Sequence, residues 1–282
     1  MTNRVSHAVL ITGCSTGIGR ATATHLAQRG HTVYATARRP EAIEDLAHQG
    51  CRVLALDVCD EGSIRTAVEA VEKSEGAVGV LVNNAGYGSE GPFEEVPMEE
   101  VRRQFETNVF GLIQLTKLVL PGMRRQRSGR IVNLSSMGGR MTLPGGAFYH
   151  ATKYAVEALS DALRFEVSGF GIAVVLIEPG PIKTEFGATA LAKVRTLGAA
   201  DSPYAKFREV LARHLDYTGP IGALAGTPEA VAKVIERAIA ARRPRPRYPV
   251  TLAARGFMGA RRWLGARGFD AVLRTQFPTP GR

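Results

Sequence analysis

The chain has 282 residues, of which 45% are hydrophobic and 22% are charged, and its formal net charge is +10. This length fits one large or two small α/β domains, and the apolar content is ample for a sizeable core. No apolar run reaches the roughly 18 residues of a membrane-spanning helix, and the first residues lack the apolar stretch of a signal peptide. Cys14, Cys51 and Cys59 are widely spaced, form no metal-ligand pattern, and predict buried or shielded free thiols in a reducing cytosol. The sequence therefore predicts a cytoplasmic protein.

Strand-like and helical patterns alternate along most of the chain. Strands are predicted at residues 8–11, 32–35, 52–56, 78–82, 130–134 and 172–177. Helices are predicted at about residues 17–29, 41–49, 61–75, 97–125 and 148–168. Near-continuous apolar strands separated by helices predict a parallel sheet covered on both faces, and right-handed connections make it doubly wound. No linker or repeat divides the pattern, so residues 1–251 are predicted to form a single Rossmann-like α/β domain.

The alternation breaks in residues 183–226, which show no strand pattern and only a short helix near residues 203–216. Ligands of open α/β sheets bind beyond the carboxyl ends of the strands, so this segment is predicted to be a substrate lid, with a long disordered loop as the alternative. Thr227 and Pro228 then begin another helix, as N-cap and first helical residue, which runs to about residue 242. Residues 247–251 predict a last short strand.

Residues 252–282 form a basic C-terminal extension. From Arg242 to Arg282 the chain holds ten arginines and no lysine against one acidic residue, Asp270, so nearly all of the net charge lies there. Residues 252–263 mix arginines with large apolar side chains, a pattern that indicates weak contact with a membrane surface or a partner. The favoured alternative is a helix that packs beside the lid with its arginines in water. No recognised nucleic-acid-binding motif accompanies the arginines, so no nucleic acid partner is predicted.

A glycine-rich turn at residues 12–19 lies between the first strand and the first helix. This arrangement places the pyrophosphate of a dinucleotide on the N–H groups of a helix N-terminus. The predicted cofactor-binding residues of the turn are Gly13, Ser15, Thr16, Gly17, Ile18 and Gly19. The alternative interpretation of such a motif, a turn with no ligand, is less consistent with the strand before it and the helix after it.

The charge after the second strand predicts the type of cofactor. An acidic residue there binds the ribose 2′-hydroxyl of NAD, whereas arginine accommodates the 2′-phosphate of NADP. The chain has Arg38 and Arg39 at this place and no acidic residue before Glu41. A guanidinium holds a phosphate in a bidentate manner, so the sequence predicts NADP(H). The alternative is a solvated pair of arginines at a helix start.

Tyr149 and Lys153 are four residues apart and lie on one face of a predicted helix. The free pKa of tyrosine, about 10, is too high for efficient proton transfer at neutral pH. A nearby ammonium group and the positive nicotinamide of an oxidised cofactor both lower this pKa. The pair therefore predicts proton transfer beside a nicotinamide ring, with a surface Tyr and Lys of no function as the alternative.

Taken in order, these motifs resemble the short-chain dehydrogenase/reductase family, in its small single-domain subgroup, over about residues 5–250. The matching residues are the glycine turn, Asp57-Val58, Asn83 to Gly86, Asn108, Ser136, Tyr149, Lys153 and Pro179-Gly180. The resemblance implies that Tyr149 is the general acid in reduction and the base in oxidation. It implies that Lys153 holds the nicotinamide ribose and lowers the pKa of Tyr149. Ser136 would hydrogen-bond the substrate oxygen, and Asn108 would hold a water that links Lys153 to solvent.

The same resemblance implies further contacts with the cofactor. These are Asp57 and Val58 at the adenine, Asn84, Ala85 and Gly86 at its ribose, and Pro179, Gly180, Ile182 and Thr184 after the sixth strand. His150 follows Tyr149 and is predicted to pack rather than react. No cluster of His, Cys and Asp has ligand spacing, so no metal is predicted.

The loops after the fourth, fifth and sixth strands predict an apolar substrate pocket. The predicted pocket residues are Tyr87, Met137, Met141, Leu143, Pro144 and Phe186. Several short strings in the chain resemble the 17β-hydroxysteroid and retinol dehydrogenase branch of the family. This resemblance implies a bulky apolar substrate, such as a steroid- or retinoid-like or aryl ketone or its secondary alcohol.

The predicted function is therefore that of an NADPH-dependent ketoreductase. One alternative is an NADP-binding sensor or scaffold protein without turnover, and another is a nucleotide-sugar epimerase or dehydratase, which also uses a Tyr/Lys pair. An enoyl reductase fits less well because the spacing from Tyr149 to Lys153 is four. Members of this family usually pair through the helices that correspond to residues 97–125 and 148–168, which implies a homodimer or homotetramer.

Overall fold

The computed structural model describes residues 5–216 and 225–281 of the chain. All seven of its named strands lie parallel in one sheet, with the order β3-β2-β1-β4-β5-β6-β7. The strands are β1 (Val9–Ile11), β2 (Val33–Ala37), β3 (Arg52–Ala55), β4 (Val80–Asn83), β5 (Gly129–Leu134), β6 (Ile172–Glu178) and β7 (Arg247–Pro249). The order reverses between β1 and β4, where open α/β sheets bind ligands. The predicted doubly wound parallel sheet is confirmed.

Helices connect these strands and cover both faces of the sheet. They are α1 (Gly17–Gln28), α2 (Asp45–His48), α3 (Glu61–Glu75), α4 (Met98–Phe105), α5 (Gly111–Arg125), α6 (Ala147–Val167), α7 (Glu185–Thr196), α8 (Ala205–Leu215), α9 (Pro228–Ala240) and α10 (Leu252–Gln276). Side chains of β1 alternate between two cores, as the two-residue period of a strand requires. Val9 and Ile11 face α1 and α9, whereas Leu10 faces α3 and α5.

The helix boundaries correct several predictions. The helix expected at residues 41–49 is a 3-10 turn, Pro40–Ile43, followed by the four-residue α2. The helix expected at residues 97–125 is interrupted by a π-helical turn, Glu106–Phe110, between α4 and α5. Such π-helical turns often occur at functional sites.

The segment after β6 contains more helix than the sequence pattern predicts. Within the described part of residues 183–226, both α7 and α8 are helical, and only the second of these was expected. Thr184 caps α7, because its side-chain oxygen accepts a hydrogen bond from the N–H of Phe186. Residues 217–224 of the predicted lid lie outside the described part of the chain.

The C-terminal helix α10 packs on this segment. Phe277, directly after α10, is buried in a small core with Phe207 and Leu211 of α8. α10 extends well beyond the predicted residues 252–263, with a break at Gly265, where φ is 62°. Trp263 points away from this core and is 88% exposed. One side of the C-terminal segment therefore packs on α8, and the role of residues 183–226 as a substrate lid stays a prediction.

The cysteines are all free. Cys14 and Cys51 are buried, and burial raises the pKa of each thiol, to about 12 and about 11 respectively. Cys59 is exposed, which corrects the expectation that all three thiols are shielded. Across the described residues, no helix is long and apolar enough to cross a membrane.

Candidate active site

A cavity of about 1190 Å³ lies at the carboxyl ends of the strands. Residues that follow each of β1 to β6 contribute to its lining, because parallel strands all end at the same edge of the sheet. The predicted cofactor-binding residues that line it are Gly13, Ser15, Thr16, Gly17, Ile18, Arg38, Asp57, Val58, Asn84, Ala85, Gly86, Tyr149, Lys153, Pro179, Gly180, Ile182 and Thr184. Gly19 and Arg39 are the predicted cofactor residues that do not line it.

The glycine turn has the shape of a phosphate cradle. Gly13 has a φ of 71°, in the left-handed region that favours glycine. A Cβ at Gly19 would collide with the carbonyl oxygen of Gly13, so Gly19 supports the turn from behind rather than lining the cavity. The side chain of Asn84 donates hydrogen bonds to the carbonyl oxygens of Thr12 at 2.8 Å and Gly13 at 3.0 Å. These contacts hold the turn against the end of β4.

Helix α1 begins at this turn with its first N–H groups available for an anion. The N-cap residue, Thr16, makes no side-chain capping bond, and the first turn of α1 contains no acidic residue. Thr16 and Gly17 both line the cavity. A free helix N-terminus beside a glycine cradle suits the phosphates of a dinucleotide.

The end of the cavity beside β2 and β3 contains one of the two predicted arginines. Arg38, which follows β2 directly, is exposed and lines the cavity, whereas Arg39 is exposed outside it. Asp57 is held in place because its Oδ1 atom accepts a hydrogen bond from the N–H of Cys59 at 3.0 Å. Val58 packs against Gly111, where any side chain would collide with it.

Tyr149 and Lys153 lie one turn apart on α6 and both line the cavity. The Nζ atom of Lys153 donates a hydrogen bond to the carbonyl oxygen of Leu134, at the end of β5, at 2.7 Å. Burial lowers the pKa of Lys153 to about 8, and the nearby carboxylate of Glu157 partly opposes this shift. The ring of Phe186 lies 5.1 Å from the ring of Tyr149, measured between centroids. Phe186 therefore covers the Tyr149 side of the cavity.

Ser136 and Ser135 both line the cavity beside the pair on α6. The Oγ atom of Ser136 accepts a hydrogen bond from the N–H of Gly138 at 3.0 Å, which caps a 3-10 turn, Met137–Gly139. This bond leaves the hydroxyl proton of Ser136 free to be donated to a substrate oxygen. Ser135 is the more deeply placed of the two and is only 4% exposed.

Asn108 lies in the π-helical turn and does not line the cavity. Its amide Nδ2 donates hydrogen bonds to the carbonyl oxygen of Tyr87 at 2.9 Å and to Oγ1 of Thr152 at 3.1 Å. Its Oδ1 atom accepts a hydrogen bond from the N–H of Tyr87 at 3.0 Å. The side chain therefore fixes the loop that begins at Tyr87, and the predicted link to solvent through a water stays a prediction.

Five of the six predicted pocket residues also line the cavity: Tyr87, Met137, Leu143, Pro144 and Phe186. Met141 is fully buried and does not line the cavity, so its assignment to the pocket is corrected. His150 also lines the cavity, with Nδ1 accepting a hydrogen bond from the N–H of Leu143 at 3.2 Å. Burial lowers the pKa of His150 to about 4, so its ring is neutral at physiological pH.

Two groups of residues at the site were missed by sequence reasoning. The first group is apolar: α8 and the C-terminal segment add Leu211, Leu215, Ala253, Phe257 and Phe277 to the lining.

The second group is a charged network behind Lys153. The Nε atom of Arg247 donates a hydrogen bond to the carboxylate of Glu157, one turn from Lys153, at 2.9 Å, and lies 3.4 Å from the carboxylate of Glu178. Burial and the charge of Glu157 raise the pKa of Glu178 to about 7. In the sequence, only the four-residue spacing of Lys153 and Glu157 indicated that a carboxylate lies near Lys153.

The described residues also bear on whether the protein could hold a metal ion. Residues 5–216 and 225–281 contain no group of three or more His, Cys, Asp or Glu side chains that could hold a metal ion. The cavity lining does contain hydroxyls suited to proton transfer, in Ser136 and Tyr149, and the ammonium group of Lys153.

Known proteins share both the sequence pattern and this architecture. A sequence model of the short chain dehydrogenase family matches residues 7–194. A 3-ketodihydrosphingosine reductase of Bacteroides thetaiotaomicron is 46% identical over 178 residues, which are 63% of this chain and 65% of that protein. An NADPH-dependent 3-dehydrocapnine reductase of Ornithobacterium rhinotracheale is 36% identical over 273 residues, which are 94% of this chain and 95% of that protein.

A solved structure extends the similarity to three dimensions. The crystal structure of a short-chain dehydrogenase from Streptomyces avermitilis has a TM-score of 0.78 and 34% identity, and the match covers 96% of this chain and 94% of that chain. The chain therefore belongs to the short-chain dehydrogenase family, and it is an oxidoreductase with an NAD(P)-binding fold that acts on CH–OH or C=O groups.

Proposed function

We propose that this protein is an NADPH-dependent ketoreductase for bulky apolar ketones, such as steroid- or retinoid-like or aryl ketones, or for the corresponding secondary alcohols. The observation that carries the proposal is the place of Tyr149 and Lys153. They line one cavity together with the glycine turn and with apolar side chains that follow β5, and these are the parts that we assign to the cofactor and to the substrate. A ketone in the pocket would have its oxygen beside hydroxyl donors and its carbon beside the cofactor.

The bound nicotinamide would supply a hydride to the carbonyl carbon, or accept one from the alcohol. Negative charge grows on the carbonyl oxygen in that step, and the hydroxyls of Ser136 and Tyr149 stabilise it. Tyr149 then gives its proton to the oxygen. The Lys153 ammonium favours the resulting phenolate, and its buried position strengthens that effect because water screens it little.

The preference for NADPH rests on Arg38. It lines the cavity directly after β2, and no acidic residue precedes Glu41 on that loop. The relative from Ornithobacterium rhinotracheale is named as NADPH-dependent, which supports the same preference here. Its name and that of the Bacteroides relative are both those of reductases, which supports reduction of a ketone as the direction.

The test is the initial rate of NADPH and NADH consumption by the purified protein with a panel of bulky apolar ketones. Sugars and nucleotide-sugars are the controls. We expect turnover of ketones, faster with NADPH than with NADH at equal concentration. Binding of NADPH without turnover of any carbonyl compound would favour the sensor or scaffold role. Turnover of nucleotide-sugars alone would favour the epimerase or dehydratase alternative.

We also propose that the protein is a homodimer or homotetramer assembled through α6. Ala158, Leu159 and Ala162 are exposed along this helix, and Phe165 is 86% exposed. An apolar stripe of this kind is unfavourable in water and suits a second copy of the same helix. Light scattering should give a dimer or tetramer for the wild type and a smaller species for Leu159→Arg. A monomeric wild type would contradict the assembly.

Weak contact with a membrane surface is a second candidate role, and it concerns α10 alone. Leu252 and Trp263 are largely exposed on a helix that carries Arg255, Arg261 and Arg262. Arginines attract anionic lipids and an exposed Trp suits the interface. Flotation with vesicles of anionic and of neutral lipid tests this role, with Trp263→Ser as the variant. Absence of binding by the wild type to anionic vesicles would reject it.

A further inference from the structure

Glu90 is an acidic residue in the lining of the cavity for which sequence reasoning gave no role. It lies on the loop after Asn84, Ala85 and Gly86, and it is only partly accessible. Within residues 5–216 and 225–281, no hydrogen-bond donor or cation pairs with its carboxylate. Burial, with no opposing interaction, raises the pKa of this carboxyl to about 7. The carboxyl group of Glu90 therefore faces the cavity without a partner among the described residues.

Three of the four acidic residues that follow on the same segment are paired, and the fourth, Glu99, is exposed to solvent. Glu94 accepts a hydrogen bond from the hydroxyl of Tyr204 at 2.8 Å. Glu95 forms an ion pair with Arg208, and Glu100 pairs with both Arg103 and Lys193. Glu90 therefore differs from its neighbours, because it lines the cavity and has neither a partner in the described part of the chain nor full exposure to solvent.

The loop that carries Glu90 is anchored beside Tyr149 on both of its sides. On one side, the ring of Phe186 lies against Gly88 and also 5.1 Å from the ring of Tyr149. On the other side, the N–H of Gly91 donates a hydrogen bond to the carbonyl oxygen of Gly145 at 2.8 Å, just before α6. These contacts put Glu90 in the part of the cavity that we assign to the substrate and away from the cradle at α1.

The cations that line this cavity are not available to neutralise Glu90. Lys193 and Arg103 share the carboxylate of Glu100, and Lys153 donates to the carbonyl oxygen of Leu134. Arg38 lies at the end of the cavity beside β2 and β3. Residues 217–224, which the structure does not describe, contain no Lys, Arg or His in their sequence. The described lining of the cavity therefore leaves the charge that complements Glu90 to a ligand.

We propose that Glu90 binds an ammonium group of the substrate, so that the substrate class is an apolar ketone, or secondary alcohol, that also carries a protonated amine. This inference rests on the proposed ketoreductase function and adds a headgroup to its substrate. A carboxylate and an ammonium in a cavity of low polarity form a charge-assisted hydrogen bond, which is stronger than one between neutral groups. The surrounding apolar lining would hold the rest of the molecule.

A binding measurement tests this recognition without requiring turnover. The probes are octylammonium and octan-1-ol, which share one chain and differ in the headgroup, titrated calorimetrically into the NADPH-loaded protein. We expect octylammonium to bind at least tenfold more tightly than octan-1-ol. Glu90→Gln, which keeps the shape and removes the charge, should abolish that difference. Glu94→Gln, an exposed carboxylate on the same segment, should retain it.

A kinetic comparison carries the test to the substrate itself. The matched ketones are dodecan-2-one, 1-hydroxydodecan-2-one and 1-aminododecan-2-one, with longer spacings between ketone and amine as a series. We expect kcat/KM with the best aminoketone to exceed that with its neutral counterpart at least tenfold, and this ratio to collapse in Glu90→Gln. Two results together would overturn the inference and leave the ketoreductase function intact. They are equal turnover of neutral ketones and of every aminoketone, and equal binding of the two octyl probes. Absence of turnover with every ketone would instead overturn the proposed function, while the octyl probes would still report on Glu90.

Discussion

The Nζ atom of Lys153 lies 5.9 Å from the centre of the Tyr149 ring, and its hydrogen bond to the carbonyl oxygen of Leu134 ties α6 to the end of β5. The ammonium is buried, and burial lowers its pKa to about 8. The positive charge that would stabilise a Tyr149 phenolate is therefore lost at a lower pH than that of an exposed lysine.

This pKa predicts how the reductase rate depends on pH. Lys153 is protonated below about pH 8 and loses its charge above it, so the rate of ketone reduction should fall as the pH rises through 8. Lys153→Arg keeps its charge at every accessible pH, so its remaining activity should lack the part of the alkaline fall that loss of the Lys153 charge causes, whatever its absolute rate. Profiles of kcat/KM from pH 6.5 to 9.5 measure this, with the exposed Lys117→Arg as the control. The same alkaline limb in wild type and Lys153→Arg would contradict the assignment.

Arg38 and Arg39 are neighbouring arginines, so Arg39 can serve as the control when Arg38 is substituted to test the preference for NADPH over NADH. Both are exposed, but Arg38 alone lines the cavity. Arg38→Asp should replace attraction for the 2′-phosphate by repulsion and lower the ratio of kcat/KM with NADPH to that with NADH by roughly tenfold or more. Arg39→Asp should leave the ratio close to that of the wild type. An unchanged ratio in Arg38→Asp would mean that the 2′-phosphate is bound elsewhere.

Ser136 and Ser135 are adjacent, and both line the cavity. We propose that Ser136, and not Ser135, contacts the substrate oxygen. Ser136→Ala should therefore lower kcat about 100-fold, which is typical for the loss of one donor to a developing oxyanion. Ser135→Ala should lower it far less. The comparison needs the steady-state rates of both variants with one ketone, and an equal loss in the two would reject the choice of Ser136.

His150 should make stability depend on pH. Its folded-state pKa is lowered to about 4, below the value of about 6.5 expected for an unfolded chain. Between these values the unfolded state binds more protons, so the free energy of unfolding falls as the pH is lowered, by up to about 3 kcal/mol over the whole window. Urea unfolding at pH 7 and pH 5 should show a smaller fall for His150→Gln than for the wild type. The exposed His48→Gln is the control, and an equal fall in all three proteins would refute a contribution from His150.

Local patterns in the sequence predicted the sheet and most residues of the part of the cavity that we propose for the cofactor. The glycine turn, Arg38 and the Tyr149/Lys153 pair lie next to the strands and on the helix that their patterns indicate, so short-range signals were sufficient to bring them together. Met141 shows the limit of that reasoning. It belongs to an apolar loop segment, and only the packed structure distinguishes a side chain that fills the core from one that lines a cavity.

Long-range packing accounts for the features of the structure that the sequence did not predict. The sequence contains no local signal that Glu90 lies in a cavity, because its environment is built by the contacts of Gly88 with Phe186 and of Gly91 with Gly145. Phe277 likewise reaches the cavity because α10 packs onto α8. Helix α7 had a local signal, the cap formed by Thr184, but its small residues weakened the helical pattern.

The most direct test of the account is the rate of NADPH oxidation with a bulky apolar ketone by the wild type and by Tyr149→Phe. The variant retains the ring that packs on Phe186 and removes only the hydroxyl. The account predicts turnover by the wild type and a loss of roughly 100-fold or more in Tyr149→Phe, with NADPH affinity preserved, because the proton donor is gone while the cofactor cradle is intact. Turnover by Tyr149→Phe at the wild-type rate would contradict it.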